Sequence, residues 1–182
     1  MLPIDAQIFR SLFEWVGNSA TADDIQNLKS TLSRLSPEQK FQVLSTSLQA
    51  LPRSYQLQLS LEAYLLHEII YRICDPRLDP VEGRDPGLIG CFLSGLSDDQ
   101  KISLFTKVDY NRNTPLQCPP HVIEDNTAVF EEVFRELLKD MPPDKKYELI
   151  MKSSVFGFVR SAILSDSVDL IREIRKGLDS TQ

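Results

Sequence analysis

Apolar residues recur every three or four positions along most of the chain, a spacing typical of amphipathic helices. Ile8, Leu12 and Val16 follow it near the N-terminus, which predicts a helix over 5–17. No alternating run of apolar and polar residues is long enough to predict a strand. The sequence therefore predicts an all-α fold, with further helices near 21–32, 37–48, 54–73, 88–96, 98–108, 129–138, 147–151, 155–164 and 168–176.

The longest of these predicted helices runs from Ser54 to Ile73, with leucine or isoleucine at four-residue intervals. The segment 74–86 that follows contains three Asp-Pro pairs and a glycine, which is loop chemistry. Asp-Pro also starts helices, because the carboxylate accepts backbone N–H groups and proline fits the first helical position. Asp85 and Pro86 are therefore predicted to open the next helix.

Three similar segments open short helices and indicate an internal repeat. They read LSPEQK from Leu35, LSDDQK from Leu96 and MPPDKK from Met141, and each follows an apolar helix. In the first two, serine with glutamine three residues later is a capping-box pattern. LDSTQ, from Leu178, resembles the start of a fourth copy. Helical repeats stack because one helix pair cannot bury its own apolar face.

A resemblance to a known family enters at VDYNRNTPLQ, over 108–117. It resembles the ankyrin motif, in which an Asp-led turn precedes Thr-Pro-Leu-His, so Thr114 and Pro115 would cap and start a helix. The sequence FVRSAILSDSVDLIREIRKGL near the C-terminus is similar to the body of an ankyrin repeat. Two positions depart from the pattern: Gln117 replaces the His, and Arg112 stands where a Gly usually makes the turn.

The resemblance implies one domain over 1–182, a degenerate ankyrin-like array of stacked helix-turn-helix repeats with an N-terminal helical cap. The N-terminal helices would span 1–34, and an irregular repeat with the Asp-Pro loop at 74–86 would span 35–95. Ankyrin-like repeats would occupy 96–182. The LSPEQK element between units is similar to that of ankyrin-like proteins from intracellular bacteria.

In ankyrin-like arrays the turn before Thr-Pro-Leu contacts partners, which here implies Tyr110, Asn111, Arg112 and Asn113 as partner-binding residues. Tyrosine and arginine often contribute most of the binding energy at protein interfaces. The resemblance implies a noncatalytic protein-protein interaction module, of the kind that bacterial effectors use on host proteins in the host cytosol. The alternative interpretation is an ordinary exposed turn, with Tyr110 packed back on the next helix.

Composition supports a globular, soluble chain. Of 182 residues, 42% are hydrophobic and 25% charged, and the net charge of −6 argues against binding nucleic-acid phosphates. Three widely spaced cysteines, Cys74, Cys91 and Cys118, form no disulfide framework and favour a reducing, cytoplasmic compartment. Neither a signal-peptide pattern nor a bilayer-length apolar stretch is found, so no membrane association is expected.

Candidate chemistry is sparse, and we assign no catalytic, cofactor-binding or metal-ligating residues. His67 has no metal-ligating residue four positions on. Cys118 and His121 have metal-like spacing but make only half a site, and Cys91 lies on an apolar helix face. The acidic residues of the Asp-Pro loop lack the spacing of a calcium-binding EF-hand; they are Asp75, Asp79, Glu82 and Asp85.

Two alternative functions stay open at this stage. An enzyme or enzyme regulator would have its site near Cys118–His121, with a pocket that joins both side chains to a carboxylate. A structural fragment of a larger repeat protein would expose a bare apolar face after the helix at 168–176. The sequence sets neither the partner's identity nor the oligomeric state.

Overall fold

The computed structural model describes residues 12, 21–47, 64–74, 85, 87–108, 112–117, 127–153, 172 and 175. Within this part the chain is helical, which confirms the predicted all-α class, and the extended pairing there is one antiparallel bridge between Ser47 and Tyr64. The helices are α1 (Ala22–Ser33), α2 (Pro37–Leu44), α3 (Leu65–Cys74), α4 (Gly87–Leu93), α5 (Asp98–Phe105), α6 (Thr127–Leu138) and α7 (Pro143–Lys152).

Capping boxes start three of these helices, and the sequence predicts two of them, at Ser36 and Ser97. Thr21, Ser36 and Ser97 each accept the backbone N–H of the third helical residue, whose side chain in turn accepts the N–H of the capping residue. These reciprocal bonds satisfy N–H groups that have no partner within the helix. α7 begins after Pro142 without a side-chain cap.

The predicted helix from Ser54 to Ile73 is wrong as one continuous element. α3 begins at Leu65, because Tyr64 is extended and pairs with Ser47, while the Leu65 N–H donates to the Thr46 carbonyl at 3.1 Å. This pairing joins the end of α2 to the start of α3, a contact that helical spacing does not encode. Residues 48–63 lie outside the described part.

Three helix pairs, α1–α2, α4–α5 and α6–α7, have a short turn between their two helices. The first helices contact in the order α1, α4, α6, and the second helices contact in the order α2, α5, α7. α3 packs against both α2 and α6. The core lies between these helices, and its largest fully buried side chains are Phe92, Phe105, Phe134, Leu12, Leu28, Leu32, Leu44 and Leu65.

The second helices run parallel to one another. Their N-terminal ends are joined by two contacts, Gln100 Nε2 to Glu38 Oε2 at 3.3 Å and Lys145 Nζ to Asp99 Oδ1 at 2.7 Å. At the opposite end, Lys107 Nζ, just after α5, donates to the carbonyl of Ser45 at the end of α2, at 3.2 Å. The three second helices, α2, α5 and α7, therefore form a row. We call the end at which their C-termini lie the C-terminal end of the row.

The turns within two helix pairs use the left-handed backbone region. Gly95, between α4 and α5, has φ +81°, and Asp140, between α6 and α7, has φ +58°. Each precedes the apolar residue that opens its repeat segment, Leu96 or Met141. A Cβ on Gly95 would lie 3.0 Å from Pro37 Cγ, so both backbone conformation and space favour glycine there.

We expect Gly95→Ala to lower the free energy of unfolding by about 1–2 kcal/mol, because a left-handed residue with a Cβ is strained and the new methyl meets Pro37. Asp140→Gly is the matched change at the equivalent position and should be neutral or slightly stabilising. Urea denaturation of both variants measures the difference. Equal stability of Gly95→Ala and the parent protein would contradict the strained turn.

Candidate functional site

The turn predicted to bind a partner is described in its second half. Tyr110 and Asn111 lie outside the described residues, whereas Arg112 and Asn113 are placed and both are exposed. Arg112 has φ +62°, a left-handed conformation that costs a residue with a Cβ about 1 kcal/mol. Glycine adopts this conformation without steric cost, so Arg112 occupies a backbone position that suits glycine better.

A histidine fixes the turn from one side. His67 Nε2, on α3, lies 3.0 Å from the Asn113 carbonyl oxygen, so this ring nitrogen donates and the carbonyl accepts. The His67 ring is half-buried and lies near Tyr64, with ring centroids 5.9 Å apart. His67 therefore links the turn to a core helix, a role the sequence did not reveal.

A threonine fixes the same segment from the other side. Thr114 is 2% exposed, and its hydroxyl donates to the carbonyl of Ser153, at the C-terminus of α7, at 3.4 Å. The Thr114 N–H donates to Gln117 Oε1 at 2.5 Å, and the Gln117 N–H returns to the Thr114 carbonyl at 2.9 Å. Residues 112–117 form a turn here, not the helix that the resemblance implies. Leu116 is fully buried and adds an apolar anchor.

The chain that leads into the turn is also fixed. Lys107 Nζ lies 4.0 Å from the centroid of the Tyr64 ring, in a cation–π contact, while it donates to the Ser45 carbonyl. Burial lowers the pKa of Lys107. Since Tyr64 also neighbours His67, one aromatic ring supports both the start and the end of the turn.

Two large hydrophobic side chains are exposed at this C-terminal end of the row. Val108, next to Lys107, is 48% exposed, and Met151, in the last turn of α7, is 49% exposed. Met151 follows Tyr147 and Ile150 at helical spacing, yet α7 buries Leu149 and Ile150 and leaves Met151 exposed. Val108 lies four residues before Arg112 in the chain, and Met151 lies two residues before Ser153, whose carbonyl accepts from Thr114. Arginine and methionine are both enriched in protein-binding surfaces.

A second candidate is a cleft of about 600 Å³, where the C-terminal ends of the first helices meet the first turns of the second helices. Its lining residues are Ser33, Lys40, Gly87, Gly90, Cys91, Leu93, Ser94, Gly95, Lys101, Glu136, Lys139 and Asp140. Cys91, placed by the sequence on an apolar helix face, is half-buried and borders this cleft. The lining contains both lysines and carboxylates, so its charge favours neither an anionic nor a cationic ligand.

The buried lysine of this cleft, Lys40, caps the C-terminus of α4. Lys40 is 5% exposed, and its Nζ donates to the carbonyls of Cys91 at 2.8 Å and Ser94 at 3.0 Å, at the C-terminus of α4. A cation there satisfies the last carbonyls of the helix and offsets its dipole. Burial lowers the pKa of Lys40. The only sequence signal for it was the lysine shared by LSPEQK, LSDDQK and MPPDKK.

The remaining candidate residues are placed only in part. Of the acidic loop, Asp85 is described: it pairs with Lys29 and accepts the Gly87 N–H at 2.8 Å, as predicted for a residue that starts a helix. Cys118 and His121 lie outside the described residues, so the alternative site between them has no geometry here.

In the described part of the chain, no group of three or more histidine, cysteine, aspartate or glutamate residues is arranged to hold a metal ion. Among the helices of these residues, none is both long and apolar enough to cross a bilayer. No protein-family model, curated protein or solved structure matches the chain.

Proposed function

We propose that the chain is a noncatalytic protein-binding module, a degenerate ankyrin-like stack that presents the turn Tyr110–Asn113 to a protein partner. One observation carries the proposal: Arg112 is exposed and left-handed on a segment that is hydrogen-bonded to two separate helices. A turn fixed in this way loses little conformational entropy on binding, so its contacts contribute more fully to affinity.

The order of helix contacts supports the stack. First helices meet first helices and second helices meet second helices along the row, as a linear array of repeats requires. The partner would contact the C-terminal end of the row, where Arg112 lies with the exposed Val108 and Met151. Arginine next to apolar groups can pair with a carboxylate of the partner while neighbouring apolar surface is buried.

The test is affinity capture from a eukaryotic cell lysate with three proteins: the parent chain, the Tyr110→Ala/Arg112→Ala double variant, and Arg34→Ala. Arg34 is an exposed arginine in the turn between α1 and α2, away from the C-terminal end of the row, and serves as the matched control. We expect a protein retained by the parent and Arg34→Ala to be lost by the double variant, because Tyr and Arg anchors often contribute 2 kcal/mol or more, roughly thirtyfold in affinity.

Circular dichroism and thermal unfolding establish that the double variant is folded before capture is compared. Retention of the same proteins by all three would contradict the proposal, since the turn would then contribute nothing to binding. Retention of nothing by the parent chain would contradict it as well. Cross-linking of the retained protein to Lys107 or Lys152, both at the same end of the row, locates the contact.

A further inference from the structure

Arg112 occupies a strained backbone position and has no partner in the described part of the chain. Its φ of +62° lies in the left-handed region, where a Cβ crowds the backbone and where glycine has no such cost. The side chain is exposed, and among the residues that the structure describes none pairs with its guanidinium group. No described contact within the chain therefore offsets the cost of an arginine at this position.

Asp140 is the other residue with a Cβ that the described part holds in the left-handed region. Aspartate visits this region readily, because its short polar side chain can hydrogen-bond to the backbone nearby, and arginine has no such local compensation. Strained residues of this kind concentrate at sites that bind a ligand or a partner. The strain at Arg112 thus indicates a contact outside the chain and not a requirement of the turn.

The other cations at the C-terminal end of the row are engaged within the chain. Lys107 Nζ donates to the Ser45 carbonyl at 3.2 Å, and Lys152 Nζ donates to Glu148 Oε1 at 2.6 Å. Both lysines lie at helix C-termini, where each helix carries a partial negative charge of about half a unit. No acidic residue occurs in the segments that form this end, which are 45–47, 105–108, 112–117 and 151–153. Among the described residues of this end, Arg112 is therefore the cation that remains for a partner.

Exposed apolar side chains precede and follow Arg112 on the same end of the row. Val108 comes four residues earlier, so the two Cα atoms are at most about 14 Å apart. Thr114, two residues after Arg112, donates its hydroxyl to the carbonyl of Ser153. Met151 lies two residues before Ser153 on α7. Val108 and Met151 are the large hydrophobic residues that are exposed in the described part, so apolar surface and a free guanidinium share this end.

We propose that the C-terminal end of the row selects an acidic partner segment, in which a carboxylate is flanked by apolar side chains. The carboxylate accepts two parallel N–H groups from Arg112, while the apolar side chains cover Val108 and Met151. The opposite end of the row repels such a segment, because acidic residues occupy the first turns of its helices; they are Glu38, Asp98, Asp99 and Asp144. The inference rests on the proposed function, since it names the chemistry of the partner that the turn binds.

The test is an NMR titration of the isotope-labelled full chain with three short blocked peptides. In these peptides leucine alternates with glutamate, leucine with lysine, or serine with glutamate. The backbone amide signals of Val108, Asn113 and Met151 report binding at this end. At the same millimolar concentration we expect the leucine–glutamate peptide to shift these signals most, the serine–glutamate peptide less and the leucine–lysine peptide not at all.

Arg112→Gln should raise the Kd of the leucine–glutamate peptide by about three- to fivefold, because it removes the charge that the carboxylate meets. Arg34→Gln is the matched control, since it removes an exposed arginine from the turn before α2, at the other end of the row, and should leave the Kd unchanged. Equal shifts with the leucine–glutamate peptide and either of the other two would overturn the inference, as would no shift with any of them.

Arg112→Gly separates a binding role from a folding role. Glycine suits the left-handed backbone, so the Tm should stay the same or rise while the Kd rises as in Arg112→Gln. A lower Tm for Arg112→Gly would overturn the inference, because the arginine side chain would then serve the fold. Failure of the proposed function is a separate result. If the peptides do not bind but the Tyr110→Ala/Arg112→Ala variant still loses a captured protein, the turn binds a partner of different chemistry.

Discussion

Replacing Phe92 with alanine is expected to lower the free energy of unfolding by about 3–5 kcal/mol. Phe92 is fully buried on α4, and α4 packs against α1 on one side and α6 on the other. Removing the ring deletes apolar contacts and opens a cavity that helices on both sides cannot fill without giving up their own packing. Since small domains are stable by about 5–15 kcal/mol, this loss is a large part of the total.

Urea denaturation followed by circular dichroism measures this effect, with the midpoint and slope fitted separately. Met151→Ala is the control, because Met151 is 49% exposed and its truncation should change stability by about 0.5 kcal/mol or less. A loss below about 1 kcal/mol for Phe92→Ala would contradict the packing of α4 between α1 and α6. A loss for Met151→Ala equal to that for Phe92→Ala would show that α7 packs differently.

The helices with local start signals were predictable from the sequence. Ser36 and Ser97 each precede a helix and have a glutamine three residues later, and both form the predicted capping boxes. These interactions join residues only three apart, so the sequence around each cap contains everything needed to predict it. The apolar spacing of α6 is equally local, and that helix spans Thr127–Leu138, around the predicted 129–138.

Errors occurred where a distant contact decides the local structure. Tyr64 continues a helical apolar pattern, but its pairing with Ser47 holds it in an extended conformation. Met151 continues the apolar spacing of α7, but the face it occupies is open to solvent. In both cases the neighbours in space, not those in sequence, determine the outcome.

In the candidate site, too, local features follow from the sequence and long-range contacts do not. Arg112 departs from the glycine that the ankyrin resemblance implies, and its left-handed backbone is a local property of the turn. The anchors of the turn were not predictable, because His67 lies 46 residues from Asn113 and Ser153 lies 39 residues from Thr114. Nothing in the sequence pairs the His67 ring with a backbone carbonyl so far along the chain.

Lys40→Met is the second change with a large expected effect, a loss of about 1–3 kcal/mol at neutral pH. Methionine keeps the apolar stem in place and removes the group that donates to the carbonyls of Cys91 and Ser94. Those carbonyls then lose a charge-assisted partner at the C-terminus of α4. Relief of the buried charge offsets part of the loss, which is why the expected value stays below that for Phe92→Ala.

Lys101→Met is the control for position, because Lys101 is the fourth residue of α5 as Lys40 is the fourth residue of α2. Its Nζ lies 3.8 Å from Asp98 Oδ1 and donates no hydrogen bond to a carbonyl within the described residues. We expect Lys101→Met to change stability by about 0.5 kcal/mol or less. Equal losses for the two variants would contradict a specific cap by Lys40 and indicate a general effect of positive charge in the cleft.

The pH dependence provides an independent check of the Lys40 environment. Burial lowers its pKa in the folded state, so between the folded pKa and the unfolded value of 10.5 the unfolded chain binds more protons. Stability from this group therefore rises with pH in that window, because the neutral amine avoids the cost of desolvation and still donates hydrogen bonds. The stability difference between the parent chain and Lys40→Met should then widen from neutral pH towards pH 10.5, whereas groups common to both proteins cancel. A difference that narrows over this range would mean that the carbonyls of α4 stabilise the ammonium more than burial penalises it.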